Sequence, residues 1–242
     1  TRVRSSAASD VYKRQGPFVS NGHVVWTEST APISQGDLNS LKNVIVQEED
    51  LSTGAITTLA NAAEGESFSW PWVAWGQISS TGAGSVVLLN LVTQQRQQLN
   101  SEPSTFTLDG ASAALEDSTS TQVQFIPDVA HSVASQTVFG TDPTKNIQIG
   151  YLSINDRLVA WRGDVSNPTP VVWDRAQQVT VTLPISDAPR APEAFVGGVT
   201  LIWLNPAETA AQQQSDEQQG LNPLETYCII NTTQLPTRAP AA

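Results

Sequence analysis

The chain has 242 residues, 12 of them basic and 23 acidic, for a formal charge of −11, with one cysteine and no methionine. So acidic a surface repels phosphate backbones and anionic headgroups, which argues against nucleic acid or a membrane surface as its partner. The lone Cys228 excludes an intramolecular disulfide and a CxxC metal site, and no apolar run approaches the roughly 18–20 residues of a membrane-spanning helix.

Residues 5–15, SSAASDVYKRQ, resemble the translation of a transposase-type sequencing adapter. Residues 1–15 are therefore expected to be a non-native tail, with the natural protein beginning upstream of Gly16. Arg2, Arg4, Lys13, Arg14 and Asp10 lie in that stretch; without them 8 basic and 22 acidic residues remain, a formal −14. Such a charge keeps a β-rich protein soluble, and it favours a cationic peptide, a basic protein or metal ions as partner.

From residue 16 onward the chain repeats. Five segments join a turn to an apolar strand that ends in a large residue: NGHVVW (21–26), WPWVAW (70–75), DGASAAL (109–115), NDRLVAW (155–161) and GGVTLIW (197–203). Their last residues, Trp26, Trp75, Leu115, Trp161 and Trp203, are 49, 40, 46 and 42 positions apart. Asn-Gly, Asp-Gly and Gly-Gly suit a two-residue hairpin turn, whose central positions need positive φ. The second segment has Pro71 in the turn, so its hairpin is expected to be built differently. A short strand precedes the turns, as at 18–20, 105–108, 149–154 and 193–196.

A second hairpin follows each anchor strand, at 44–60, 85–99, 170–183 and 226–236, with an Asp or Asn at the turn. The third repeat is irregular, with strands at 121–126 and 134–139 around a longer connection. Each unit is thus four antiparallel strands, and four strands at this period predict a β-propeller blade. No segment competes as a helix. Residues 206–220 lack an apolar face and read as a long loop.

The alternation of a G-x-x-apolar-apolar-Trp strand with a D-L-x-T-G hairpin, clearest at 21–26 and 50–54 and partial at Asp109-Gly110, resembles the TolB-like, cell-envelope β-propellers. The resemblance covers nearly all of residues 16–242. It implies an all-β propeller over 16–236 with a short tail at 237–242, and six or seven blades in the full protein, of which five are visible. It also implies an extracytoplasmic location, in the periplasm or cell envelope. It is nearly silent about function.

The four repeated Trp residues read as packing between blades. Trp70 and Trp72 break the pattern and are candidate binding residues, as a sugar platform or more simply as core. The long connections, 29–43, 162–169, 184–192 and 205–224, fall on one side of the blades, and that side also collects Asp37, Asp164, Asp187, Glu193, Asp216 and Glu217. Asp164 and Asp187 are the candidate contacts of an acidic binding face.

Catalytic chemistry finds little support. His23 begins a strand and is expected at the surface, and His131 lies near Asp128 in what reads as an exposed turn. No G-x-S-x-G elbow occurs. Glu48, Glu49, Asp50, Glu116 and Asp117 could pair as acid and base, but they fall outside the innermost strands, whose residues Phe18, Ser20, Phe68, Thr107, Tyr151, Ser153 and Phe195 are poor in acids. Residues 142–146 match a calcium loop badly, and Asn231 starts a single glycosylation sequon.

No catalytic residue, metal or cofactor is expected. The favoured reading is a non-catalytic interaction module for a protein or peptide, with no nucleic acid partner. The alternative is a gating propeller of a prolyl-oligopeptidase-like hydrolase, and a less favoured one is a propeller glycosidase or lyase.

Overall fold

A computed structural model describes residues 14–29, 43–78, 84–99, 103, 105–132, 134–140, 149–162, 170–182, 194–197, 200–206 and 225–231. These form five successive antiparallel sheets. The first contains β1 (Arg14–Ser20), β2 (His23–Ser29), β3 (Val44–Asp50) and β4 (Ala55–Asn61). The second contains β5 (Ala63–Ser69), β6 (Trp72–Ile78), β7 (Gly84–Asn90) and β8 (Arg96–Leu99). β9 (Thr105–Asp109), β10 (Ser112–Glu116), β11 (Gln122–Ile126) and β12 (Gln136–Gly140) make the third. The fourth is β13 (Gly150–Ile154), β14 (Leu158–Arg162), β15 (Pro170–Asp174) and β16 (Val179–Thr182). The fifth shows β17 (Ala194–Gly197), β18 (Thr200–Pro206) and β19 (Glu225–Asn231), and its expected fourth strand lies outside the described residues.

Strands follow chain order across every sheet, which is the meander of a propeller blade. No α-helix occurs among the described residues. β1 begins at Arg14, two residues inside the adapter-like stretch. The chain divides into two compact units, Thr1–Glu102 with Leu108–Ala111 and Asp128–Val133, and Pro103–Thr107 with Ser112–Pro127 and Ala134–Ala242.

The turn chemistry repeats as closely as the strands do. Asn21 and Gly22 both have positive φ, at 49° and 80°, so the first hairpin takes the primed turn that fits the strand twist. The Trp70-Pro71 hairpin differs in chemistry and not in length: its bond is cis, yet Ser69 pairs with Trp72 across a two-residue turn.

At the second turn of a blade, an Asx side chain caps the exit from the third strand. The Oδ1 of Asp50 accepts the Ser52 N–H (2.8 Å), that of Asn90 accepts Val92 and Thr93 (3.0 Å each), that of Asp128 accepts Ala130 (2.9 Å), and that of Asp174 accepts Ala176 and Gln177 (3.0 Å each). The residue after each Asx donates its N–H to the first turn of the same blade: Leu51 to Gly22, Leu91 to Pro71, Val129 to Ala111 and Arg175 to Arg157. The two hairpin turns of each of these four blades are thereby tied together.

Packing between neighbouring sheets follows one rule. In the first unit, Val25, Val46 and Ala60 of the first sheet meet Phe68, Val73, Trp75, Val87 and Leu89 of the second. In the second unit, Ala114, Val123 and Phe125 of the third sheet meet Ile154, Val159, Trp161, Val171 and Trp173 of the fourth. The two sets of five occupy matching register positions. Each large apolar side chain so buried contributes roughly 1.5–3 kcal/mol. Gln77 accepts the Trp75 indole N–H (3.3 Å) and donates to the Asn61 and Ala62 carbonyls (2.9 Å each), stitching the same seam with polar bonds.

Trp161 differs in one respect. Its indole N–H is buried and has no acceptor among the described residues. Two residues beyond Trp26 and Trp75 come Glu28 and Gln77, whereas the residue two beyond Trp161 is Gly163, which has no side-chain acceptor.

Two outcomes follow from these features. Gln178 holds the left-handed position (φ 54°) that Gly54 fills in the first blade, so Gln178→Gly should raise stability by about 1 kcal/mol in urea unfolding. Trp161→Phe removes an unsatisfied donor while Trp75→Phe breaks a bond, so the Trp161 variant should cost about 1 kcal/mol less in the same assay.

Candidate functional site

The described residues that carry chemistry concentrate on the first sheet. His23 opens β2 beside the tight turn, where its Nδ1 lies 2.6 Å from Glu48 Oε1 and its ring stacks on Trp70, centroids 4.2 Å apart and 17° from parallel. The sequence reading puts His23 at the surface; its side chain is instead only 20% exposed, because Trp70 from the next blade lies over it. The Trp70 backbone N–H donates in turn to the Ser20 hydroxyl (3.2 Å). One blade's inner strand thus holds the next blade's turn, an arrangement repeated where Gly110 donates to the Ser69 hydroxyl (2.7 Å).

The two Trp candidates separate. Trp70 is half-buried, with its ring occupied by His23. Trp72 sits at the register position of His23 in the second sheet and is 2% exposed, so it packs in the interior. Asp164 and Asp187, the candidate contacts of the long connections, lie outside the described residues. So do Asp37, Glu193, Asp216 and Glu217.

Acidic charge is concentrated at the end of β3. Glu48 and Asp50 point toward the second sheet's side, and Glu49 points to the opposite face, since neighbours along a strand alternate. The Ser52 hydroxyl and N–H hold the Asp50 carboxyl below its ordinary value, with a smaller contribution from His23.

Three other acids have structural work. Burial pushes the Glu66 carboxyl up, and the Thr27 N–H that it accepts (3.3 Å) only partly offsets this. Burial alone would raise Asp117 as well, but the Thr119 hydroxyl and the N–H groups of Gln122 and Thr121 outweigh it and hold that carboxyl low. Asp128 is lowered chiefly by its bond to His131, and this exposed pair closes the turn around residues 128–132. Among the described residues no three His, Cys, Asp or Glu side chains converge as a metal site. No helix among them is long and apolar enough to cross a membrane.

Glu49 belongs to a pocket that the sequence did not single out. It has a volume of about 380 Å³ and is lined by Pro17, Val24, Trp26, Glu28, Gln47, Glu49 and Ile56. These residues alternate along β2, β3 and β4 and share the face of the first sheet that points away from the second. Trp26 is almost fully buried, with its indole N–H directed to Glu28 (3.5 Å). The pocket was detectable in the repeat alignment only by asking which blade breaks an apolar column. That question requires the register, which the structure supplies.

No protein-family model matches this chain, and no curated protein is similar to it in sequence. Solved structures are similar in fold. TolB from Acinetobacter baumannii is 14% identical, with a TM-score of 0.50 over 79% of this chain and 51% of its own. The dihydro-heme d1 dehydrogenase NirN is 15% identical, with a TM-score of 0.50 over 79% of this chain and 41% of its own. A prolyl endopeptidase is 10% identical, with a TM-score of 0.54 over 79% of this chain and 32% of its own. This chain therefore spans about half the length of TolB and about a third of the endopeptidase. The fold is a β-propeller of four-stranded antiparallel blades.

Glu66 provides a pH test of the seam beside the site. A carboxyl raised by folding binds its proton more tightly in the folded state, so stability falls as pH climbs from the ordinary carboxylate value through the folded one. Glu66→Gln keeps an acceptor for Thr27 and carries no charge. Urea unfolding should find the variant equal to the parent near about pH 3.5 and more stable near about pH 7.5.

Proposed function

We propose that this chain is a non-catalytic propeller interaction module, acting outside the cytoplasm, whose acidic surface receives a basic protein or peptide. One observation carries the reading. At the end of the third strand, the second, third, fourth and fifth blades place Leu88-Leu89, Phe125-Ile126, Val172-Trp173 and Ile229-Ile230 in register with one another. The first blade places Glu48-Glu49 there, followed by Asp50. In the second, third and fourth blades this position is buried, whereas the first gives it over to charge, at a cost to the core that a binding role would explain.

The net charge of −11 supports a cationic partner through long-range attraction. Asp164 and Asp187 on the long connections are proposed to extend the acidic surface, and Trp70 to border it. The extracytoplasmic placement rests on the resemblance of the repeat to cell-envelope propellers. A second reading, an accessory propeller of a larger hydrolase, is favoured by the likeness to a prolyl endopeptidase of which this chain matches 32%. It requires a hydrolase domain elsewhere in the same protein.

Fluorescence anisotropy with labelled polyarginine and polyglutamate peptides tests the proposal. The polyarginine peptide should bind the full chain with an affinity that falls steeply with salt, and the polyglutamate peptide should not bind. The double variant Asp164→Asn, Asp187→Asn should weaken that binding. Undiminished binding would remove the long connections from the surface. Equal binding of both peptides, or of neither, would overturn the cationic partner.

A further inference from the structure

We infer that the outer edge of the fourth blade, strand β16, is a docking site where a short cationic segment of a partner adds itself to the sheet as a further strand. This deepens the interaction-module reading and rests on it. The last strand of a sheet is bonded on one side only. On the other it presents unpaired backbone N–H and C=O groups, an open template for another strand. Adjoining blades cover the faces of a blade and leave this edge open, and propellers keep such edges short and protected.

The other outer strands among the described residues each carry a guard. β4 pairs Ala60 with Val46 and Thr58 with Gln47, so Leu59 is an extra residue that bulges the edge of the first blade. β12 repeats the device: Phe139 pairs with Val123 and Thr137 with Gln124, which leaves Val138 as the bulge. Both bulged side chains turn onto an apolar core. β8 has no bulge, but it carries an exposed charge at Arg96. It also anchors the amides of Gln97 and Gln98, which donate to the Ala130 carbonyl (3.3 Å) and the Ser85 hydroxyl (2.8 Å).

β16 has none of these guards. Its sequence, Val-Thr-Val-Thr, pairs with β15 in unbroken register and contains neither charge nor proline. Thr180, the register equivalent of Arg96, is exposed. Every residue is β-branched, the type that best fits a strand and pairs well across one. An edge so suited to pairing, and left unguarded where its counterparts are not, matches a site for a partner's strand. The length of the edge then sets the size of the occupant. Gln178 ends the pairing on one side with its positive φ, and Pro184 lacks the N–H that pairing needs on the other. Five residues lie between them, enough to span about 17 Å. With a sheet about 10 Å thick, such an edge offers on the order of 170 Å². A stable protein interface buries roughly 800 Å² per partner. A second copy of the chain would need far more than this edge to hold it, and two copies at −11 each repel. A short peptide segment fits: its main chain bonds the edge, and flanking lysines or arginines are drawn by the net charge.

The test is hydrogen exchange of the full chain, read by mass spectrometry, in the presence of acetyl-Lys-Val-Thr-Val-Thr-Lys-amide. The peptide should slow exchange in residues 179–182 saturably and leave residues 96–99 unchanged. A counterpart N-methylated at every valine and threonine should protect nothing, since it cannot donate to the edge. A glutamate-flanked counterpart should bind at least about tenfold more weakly. Thr180→Arg, which copies the guard of β8, should weaken the lysine-flanked peptide at least about tenfold without lowering the unfolding midpoint.

No protection of residues 179–182, equal protection by the N-methylated peptide, or undiminished protection in Thr180→Arg overturns the docking edge. Equal binding of the lysine- and glutamate-flanked peptides overturns the cationic occupant. If polyarginine still binds the chain when the edge fails, the broader acidic-surface reading survives. If polyarginine does not bind either, that reading fails as well. Sedimentation of the parent and Thr180→Arg covers the remaining occupant: a dimer that the substitution converts to monomers would assign the edge to a second copy of the chain and overturn the peptide assignment.

Discussion

Within each of the two units, the described structure depends on the way one sheet lays its outward face on the inward face of the sheet before it. A single four-stranded meander has two faces and can satisfy its backbone within itself, but it cannot bury both faces alone. The protein meets this requirement with a column of large apolar residues centred on a Trp at the end of the second strand. Trp75 and Trp161 are fully buried because Val25 and Val46, or Ala114 and Val123, come from the sheet before. Removing water from that seam is the chief stabilising contribution, and the polar bonds of Gln77, Ser20 and Ser69 fix the register in which it happens.

The turns support that register from the edge. Asp50, Asn90, Asp128 and Asp174 cap the turns that follow the third strands, and the next residue bonds to the first turn of its own blade. These links hold both hairpins of a blade in one plane. They also account for most of the acidic and amide groups that a search for catalysis would pick out, since Asp128 with His131 and Asp117 with Thr119, Thr121 and Gln122 are engaged in shaping connections. Where titratable groups are used this way, their shifted pKa values report turn geometry.

Function, in such a scaffold, has to be written as a departure from the repeat. One such departure lies in the first blade, which has Glu48-Glu49 where the second, third and fourth have an apolar pair. His23 is partly covered by Trp70 and bonded to Glu48, whereas Glu49 lies on the opposite face of the sheet, with Trp26.

Much of this architecture was legible in the residues. Asn21-Gly22 announced a tight turn, the Asx residues announced the second hairpins, and the spacing of Trp26, Trp75, Trp161 and Trp203 announced the blades. All of these are local or periodic signals, set by φ preferences and by the two-residue alternation of a strand. The chain could not show that the cis Trp70-Pro71 turn keeps the standard length, or that Trp72 is interior while Trp70 covers His23. Nor could it show that Glu49 stands where the next blade has Leu89. Those facts depend on which sheet lies opposite each face, and the opposing residues are some 40 to 50 positions away in sequence. Local chemistry determined the blades; only their stacking decided which side chains were buried between them.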